Sequence, residues 1–219
     1  MSSFIALKAY RFMRPIKHFL KPIYEFARGL MAGAVRIATP LRLSKHDKLH
    51  LGCGPHRIEG WANIDVSGWR NIMWDLRKPL PVPASSVRFI YSEHFIEHIT
   101  RPEALALFGN CRTVLAKGGV LRVSTPNLRR LVNDYIAGNI PTFSHAASWR
   151  PVTPCVMVNE GMRLWGHTFC YDEEELILLF KEAGFSNIRR MRWHESEHPA
   201  LRGLETRPYY DDLIFEAIA

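Results

Sequence analysis

From Asp47 onward, short apolar runs alternate with longer amphipathic ones, the rhythm of strands separated by helices. Lys48–Leu51, Asn63–Val66, Asn71–Trp74, Val87–Tyr91 and Val120–Ser124 read as five strands, the last entered through the turn Lys117-Gly118-Gly119. A helix is expected from Pro102 to Leu115, with Pro102 in the first turn, where its missing N–H costs nothing. A second helix, Asp172–Ala183, crowds acids from Asp172 to Glu175 into its first turn, where the macrodipole favours them, and Gly184 follows as a cap. Ile188–Trp193 and Asp212–Ile218 complete seven strands. Strands separated by helical runs imply βαβ units and a parallel sheet. The connection His194–Tyr210 has no evident room for a crossover helix, so the last strand should run antiparallel to its neighbour. The expected fold is α/β: a Rossmann-like, seven-stranded, mostly parallel sheet with an antiparallel last strand and helices on both faces. Right-handed crossovers bring the carboxyl ends of the parallel strands to one rim, where ligands bind at the switch point.

The first 43 residues follow a different pattern. Ile5, Phe12, Ile16, Phe19, Ile23, Ala27 and Leu30 recur at helical spacing, with Lys8, Arg11, Lys21, Glu25 and Arg28 between them. Pro15 and Pro22 divide the pattern into short helical pieces. Three roles fit a basic amphipathic arm: docking on an anionic membrane surface or a partner, capping the body's own core, or targeting to an organelle. The division expected is residues 1–43 as arm and residues 44–219 as the catalytic domain.

Charge gives this division physical content. The chain of 219 residues has formal net charge +8, with 29 basic and 21 acidic residues. Eight of the basic residues and one acid, Glu25, lie in residues 1–43, which leaves 21 basic against 20 acidic in the body. A near-neutral body argues against a nucleic-acid partner. Hydrophobic residues make up 47% and charged residues 23%, a globular composition. Cys53, Cys111, Cys155 and Cys170 show no zinc-like spacing and read as reduced thiols. No run approaches the roughly 20 apolar residues that span a bilayer, and the start lacks a secretory h-region. A cytoplasmic location is expected, with membrane-surface association through the arm as one reading of it.

Five motifs then occur in series: Leu49-His50-Leu51-Gly52-Cys53-Gly54, Asp65, Asp75 ahead of Leu80-Pro81, Ser92-Glu93-His94-Phe95-Ile96-Glu97-His98, and Cys111 through Gly119. In this order they resemble class I S-adenosylmethionine-dependent methyltransferases, and within them the small bacterial type-11 group. The resemblance spans residues 47–219. It implies that Gly52, Cys53 and Gly54 cradle the methionine part of the cofactor, that Asp65 accepts the ribose hydroxyls, that Asp75 and Leu76 meet the adenine, and that Ser92 stands near the sulfonium. The residues agree in part on their own terms. Gly52 and Gly54 allow backbone to approach a ligand. The third glycine of a dinucleotide fingerprint is absent, and Asp65 follows Gly54 by 11 residues, where that fingerprint asks for about 20. A pyrophosphate site is therefore disfavoured, and a shortened first helix is expected around Ile58–Trp61. Asp65 and Asp75 also have plainer readings as turn-capping acids.

A hydroxyl acceptor needs a group to take its proton, and histidine titrates in the right range. His94 is the first candidate and His167 the second, with His98 one helical turn beyond His94, about 40° round. His94-x-x-Glu97-His98 is also a pattern that can hold a divalent ion, with His145 or His167 as a third ligand. A hydroxyl acceptor does not require a metal, and none is expected. The long connection Ile136–Trp165, with Phe143, His145, Trp149, Arg150, Met157 and Met162, reads as an acceptor-site lid or as a cover for the sheet edge. His194, Glu195, Glu197 and His198 are expected either to line the same rim or to form a solvated turn. The expected function is methyl transfer from S-adenosylmethionine to a small hydroxylated acceptor such as a sugar, a glycan terminus or a lipid-linked intermediate. The alternatives are a nucleic-acid methyltransferase and a non-catalytic S-adenosylmethionine-binding protein.

Overall fold

The computed structural model describes residues 40, 42–68, 70–140, 149–207 and 210–219. The amphipathic pattern of the arm and the lid residues Phe143 and His145 fall outside them. Leu43, the last residue of the arm, is buried in the main core.

Seven strands form one sheet in the order β3-β2-β1-β4-β5-β7-β6. They are β1 (Lys48–Leu51), β2 (Ala62–Asp65), β3 (Ile72–Met73), β4 (Val87–Glu93), β5 (Leu115–Thr125), β6 (Asn187–Arg190) and β7 (Leu213–Ile218). The first five pair in parallel; β7 runs antiparallel to both β5 and β6, the reversal expected of a strand reached without a crossover helix. The order reverses between β1 and β4, where Leu51 stands opposite Ser92. This switch point opens a crevice at the carboxyl ends of the strands.

Helix α1 (Arg101–Val114) starts at Thr100, whose hydroxyl accepts from the Glu103 N–H at 3.4 Å, while the Glu103 carboxylate accepts from the Thr100 N–H at 2.8 Å. This is a reciprocal capping box, with Pro102 in the first turn as expected. Helix α2 is Leu128–Ile136 and α3 is Pro154–Arg163. Helix α4 (Glu173–Glu182) is capped by Asp172, which accepts from the Glu175 N–H at 3.0 Å. Helices α1 and α4 cover one sheet face, with Phe108 and Phe180 at 4.7 Å between ring centroids in a core with Leu49, Ile90, Leu121 and Phe215. Among the described residues the other face is covered by the connection between β6 and β7, which contributes one 3₁₀ turn, Pro199–Leu201, with Leu201 packed on Tyr91 and Val120.

Three expectations need correction. No helix forms around Ile58–Trp61: the Asn63 amide holds this stretch as a loop, donating to the Ile58 and Trp61 carbonyls at 2.9 and 3.0 Å and accepting from the Ile58 N–H at 2.8 Å. His94 and His98 do not share a regular helix. Ile96–His98 is one 3₁₀ turn, and His94 precedes it at φ 49°. His194 and His198 cover the second face and leave the carboxyl rim to other residues: His198 packs on Phe89 at 5.6 Å, and His194 Nε2 lies 2.9 Å from the Glu205 carbonyl.

Candidate active site

Two neighbouring cavities occupy the carboxyl rim, and His98 belongs to both. The smaller, about 260 Å³, lies at the ends of β2, β3 and β4 among Asp65, Trp74, Asp75, Leu76 and Phe95. Asp65 is fixed by three donors: Gly54 N–H to Oδ2 at 2.9 Å, and the Ser67 N–H and hydroxyl to Oδ1, both at 2.8 Å. The acid thus ties the glycine loop to the end of β2, and Oδ2 keeps lone-pair capacity for one more donor. Asp75 takes the Arg77 guanidinium in two bonds of 2.9 Å, and this side-chain pairing leads the causes that lower its pKa. Gly52, at φ 65°, lies under the Phe95 ring, and a Cβ there would come within 2.4 Å of it. Gly54, at φ 50°, faces open space.

The expected cofactor residues therefore divide. Asp65, Asp75 and Leu76 line the smaller cavity. Gly52 shapes it through Phe95. Cys53 is buried to one side, its Sγ donating to the Gly54 carbonyl, and burial pushes its thiol pKa up to about 12. Ser92 is buried beside Leu51, and its hydroxyl has no hydrogen-bond partner among the described residues. Such an orphaned hydroxyl at the switch point, a fixed acid at β2 and an aromatic-flanked slot at β3 fit S-adenosylmethionine. Trp74 and Phe95 were not singled out from sequence, although Phe95 stands inside the motif Ser92–His98.

The larger cavity, about 460 Å³, is walled by His94, His98, His167 and Asp212 and by aromatic side chains of Trp149 and Trp165. It brings together all three candidate histidines. His94 is placed in the left-handed region, a strained conformation for a non-glycine residue. Its Nε2 lies 3.2 Å from Asp212 and its Nδ1 3.5 Å from Glu97, both carboxylates being buried. Burial, the largest influence, disfavours the imidazolium, but the Asp212 hydrogen bond and the charges of Glu97, Asp212 and Glu93 outweigh it and raise the His94 pKa. Asp212 carried no sequence signal, since it meets His94 across 118 positions.

His167 is placed by the backbone. The Thr168 and Phe169 N–H groups donate to the Glu97 carbonyl at 2.6 and 3.2 Å, clipping this segment to the 3₁₀ turn. His167 Nδ1 lies 2.9 Å from the Gly161 carbonyl, which only accepts, so Nδ1 carries the proton and Nε2 the lone pair. Burial leads the causes that lower its pKa. The cavity's outer wall is α2 and α3, which close a small core of Leu131, Trp149 and Met157. Ten residues of the connection read as a lid or cover thus fold as α3, capped at Thr153 with Pro154 in its first turn.

No protein-family model and no curated protein matches the chain. Solved structures do align with it. An S-adenosylmethionine-dependent methyltransferase of Archaeoglobus fulgidus aligns at 16% identity and TM-score 0.48, covering 88% of this chain and 94% of its own. One from Mesorhizobium loti aligns at 19% and 0.46, covering 85% and 96%. One from Thermotoga maritima aligns at 15% and 0.47, covering 92% and 99%. None of these three reaches a TM-score of 0.5.

Proposed function

We propose that this chain binds S-adenosylmethionine in the smaller cavity and transfers its methyl group to a hydroxyl of a small acceptor held in the larger one. The observation that carries this reading is the junction of the two cavities at His98, on the carboxyl rim at the switch point between β1 and β4. Bound S-adenosylmethionine would supply an electrophilic methyl group. Asp65 would accept from the ribose, and Trp74, Leu76 and Phe95 would hold the adenine in an apolar slot. Asp75, whose Oδ1 already accepts from the Arg77 N–H and Nε and whose Oδ2 accepts from its terminal nitrogen, offers its remaining Oδ2 lone pair to the exocyclic amine. In the larger cavity Trp149 and Trp165 give apolar faces against which a ring-shaped acceptor can lie, beside a histidine wall of His94, His98 and His167 in which His94 is first in line to receive the hydroxyl proton. Placing the two substrates in adjoining clefts turns a bimolecular reaction into an effectively unimolecular one.

The favoured acceptors are a sugar, a glycan terminus or a lipid-linked intermediate, all of which present hydroxyls. Among the described residues no helix is long and apolar enough to cross a membrane. The reading places the enzyme in the cytoplasm, held to an anionic membrane surface by its basic arm. Methyl-labelled cofactor incubated with the protein and fractionated cell extract tests it. Label should move to a small or lipid-linked hydroxylated fraction; label in nucleic acid, or in nothing, contradicts it.

A further inference from the structure

The geometry points to a divalent-cation site formed by Glu97, His98 and His167, and we propose that the chain binds one zinc-like ion there. One ligand atom from each residue falls within 4.8 Å of the other two. A tetrahedral site with bonds of about 2.0–2.1 Å has edges of about 3.4 Å, a contraction that turning two imidazoles can achieve. Two histidines and a glutamate are a donor set for zinc that leaves coordination open for water or substrate.

Two further observations point to an ion. Glu97 is buried, and its Oε1 has no hydrogen bond from any described residue, although Oε2 accepts from the Thr125 hydroxyl at 3.0 Å. His94 Nδ1, 3.5 Å away, lies beyond hydrogen-bonding distance. A buried carboxylate oxygen whose nearest partner is an ion-pair contact longer than a hydrogen bond keeps lone-pair capacity that a cation can fill. His167, in turn, is oriented as metal-binding histidines are: its Nδ1–H is given to the Gly161 carbonyl at 2.9 Å, which fixes the tautomer and leaves the Nε2 lone pair for the ligand role. The backbone clip from Thr168 and Phe169 to Glu97 brings the two ligand-bearing segments together, and the His98 and His167 rings stand 5.1 Å apart, nearly perpendicular.

The open side of this site is the 460 Å³ cavity, which both histidines line. An ion there would meet oxygen atoms of a molecule in that cavity, and a pair of neighbouring hydroxyls suits its free positions. Binding of the ion itself does not depend on the methyl-transfer reading and is measured without S-adenosylmethionine.

The test is a titration of the metal-stripped full-length protein with zinc, in competition with a chromogenic chelator, and with cobalt for its visible spectrum. One equivalent should bind, and cobalt should give the absorption of a low-coordinate nitrogen and oxygen site. His98→Ala and His167→Ala should each weaken zinc at least tenfold and remove the cobalt band, while His167→Cys, which restores a ligand, should recover binding. Absence of stoichiometric uptake by the wild-type chain overturns the proposal. So does equal uptake by wild type and both alanine variants, which would place the ion elsewhere.

Discussion

His50 shows how a single buried residue can make the whole fold sensitive to acid. It sits in the middle of the sheet with Nδ1 3.2 Å from Asn63 Oδ1, which already accepts from a backbone N–H, so Nδ1 must carry the proton. Burial lowers its pKa from the ordinary 6.5 to about 4, against the opposing effects of Asn63, Glu93 and Asp65; His56 adds to the lowering. The native state thus binds its proton more weakly than the unfolded chain. The stability this contributes is present above pH 6.5 and is lost as pH falls toward 4, about 3 kcal/mol in all. Denaturant melts at pH 7 and pH 4.5 should show the drop in wild type and a smaller one in His50→Gln; equal drops would contradict the assignment. Gly52 is a second such residue. Alanine there must adopt φ 65° and displace Phe95 from its base, so Gly52→Ala should cost about 2 kcal/mol or more in thermal melts and weaken binding in the smaller cavity. Melts and cofactor affinity equal to wild type would show that Phe95 is not held as described. The glycine's need was legible in Gly52-Cys53-Gly54, but its reason, an aromatic ring from 43 residues away, was not.

Between elements, the most informative contact is Arg122, fully buried on β5. Its guanidinium reaches Glu216 on β7 at 2.6 Å and Glu205 in the final connection at 2.7 Å. Removing the cation leaves two buried carboxylates without it, so Arg122→Met should lower stability by about 3–5 kcal/mol. Adding Glu205→Gln and Glu216→Gln should recover part of that in the same melts; if it does not, the residues act independently. From sequence, Val120–Ser124 shows the strand, yet nothing pairs Arg122 with acids more than 80 positions later. The same limit hid Asp212 behind His94. Helices α1 and α4 were legible because their signals are local: Pro102 in a first turn, and Asp172 with three acids ahead of Gly184. Helices α2 and α3 were not, since they bury little except each other and the Trp149 ring, and three prolines in that stretch read as loop. The reversed last strand was legible from topology alone, because a connection without a helix leaves no parallel return.

At the scale of the molecule, charge and chemistry separate. The body is nearly neutral, but it gathers Lys45, Arg57 and Arg70, with Arg42 from the end of the arm, around a cavity of about 650 Å³ with Glu59 as the acid in its lining. This basic site begins where the basic arm ends in sequence, and its lining shares no residue with that of either rim cavity. Removing residues 1–39, and so sparing the buried Leu43, should abolish association with anionic vesicles in a flotation assay while leaving cofactor affinity unchanged. Unfolding of the truncated chain would favour the arm as a cap for the core instead. S-adenosylmethionine binding at the rim is measured by calorimetric titration of the protein with S-adenosylmethionine and its demethylated product. One equivalent of each should bind, with affinity at least tenfold weaker in Asp65→Ala, a loss of about 1.4 kcal/mol or more. No heat of binding from either compound, or an Asp65→Ala chain that binds as tightly as wild type, would contradict it.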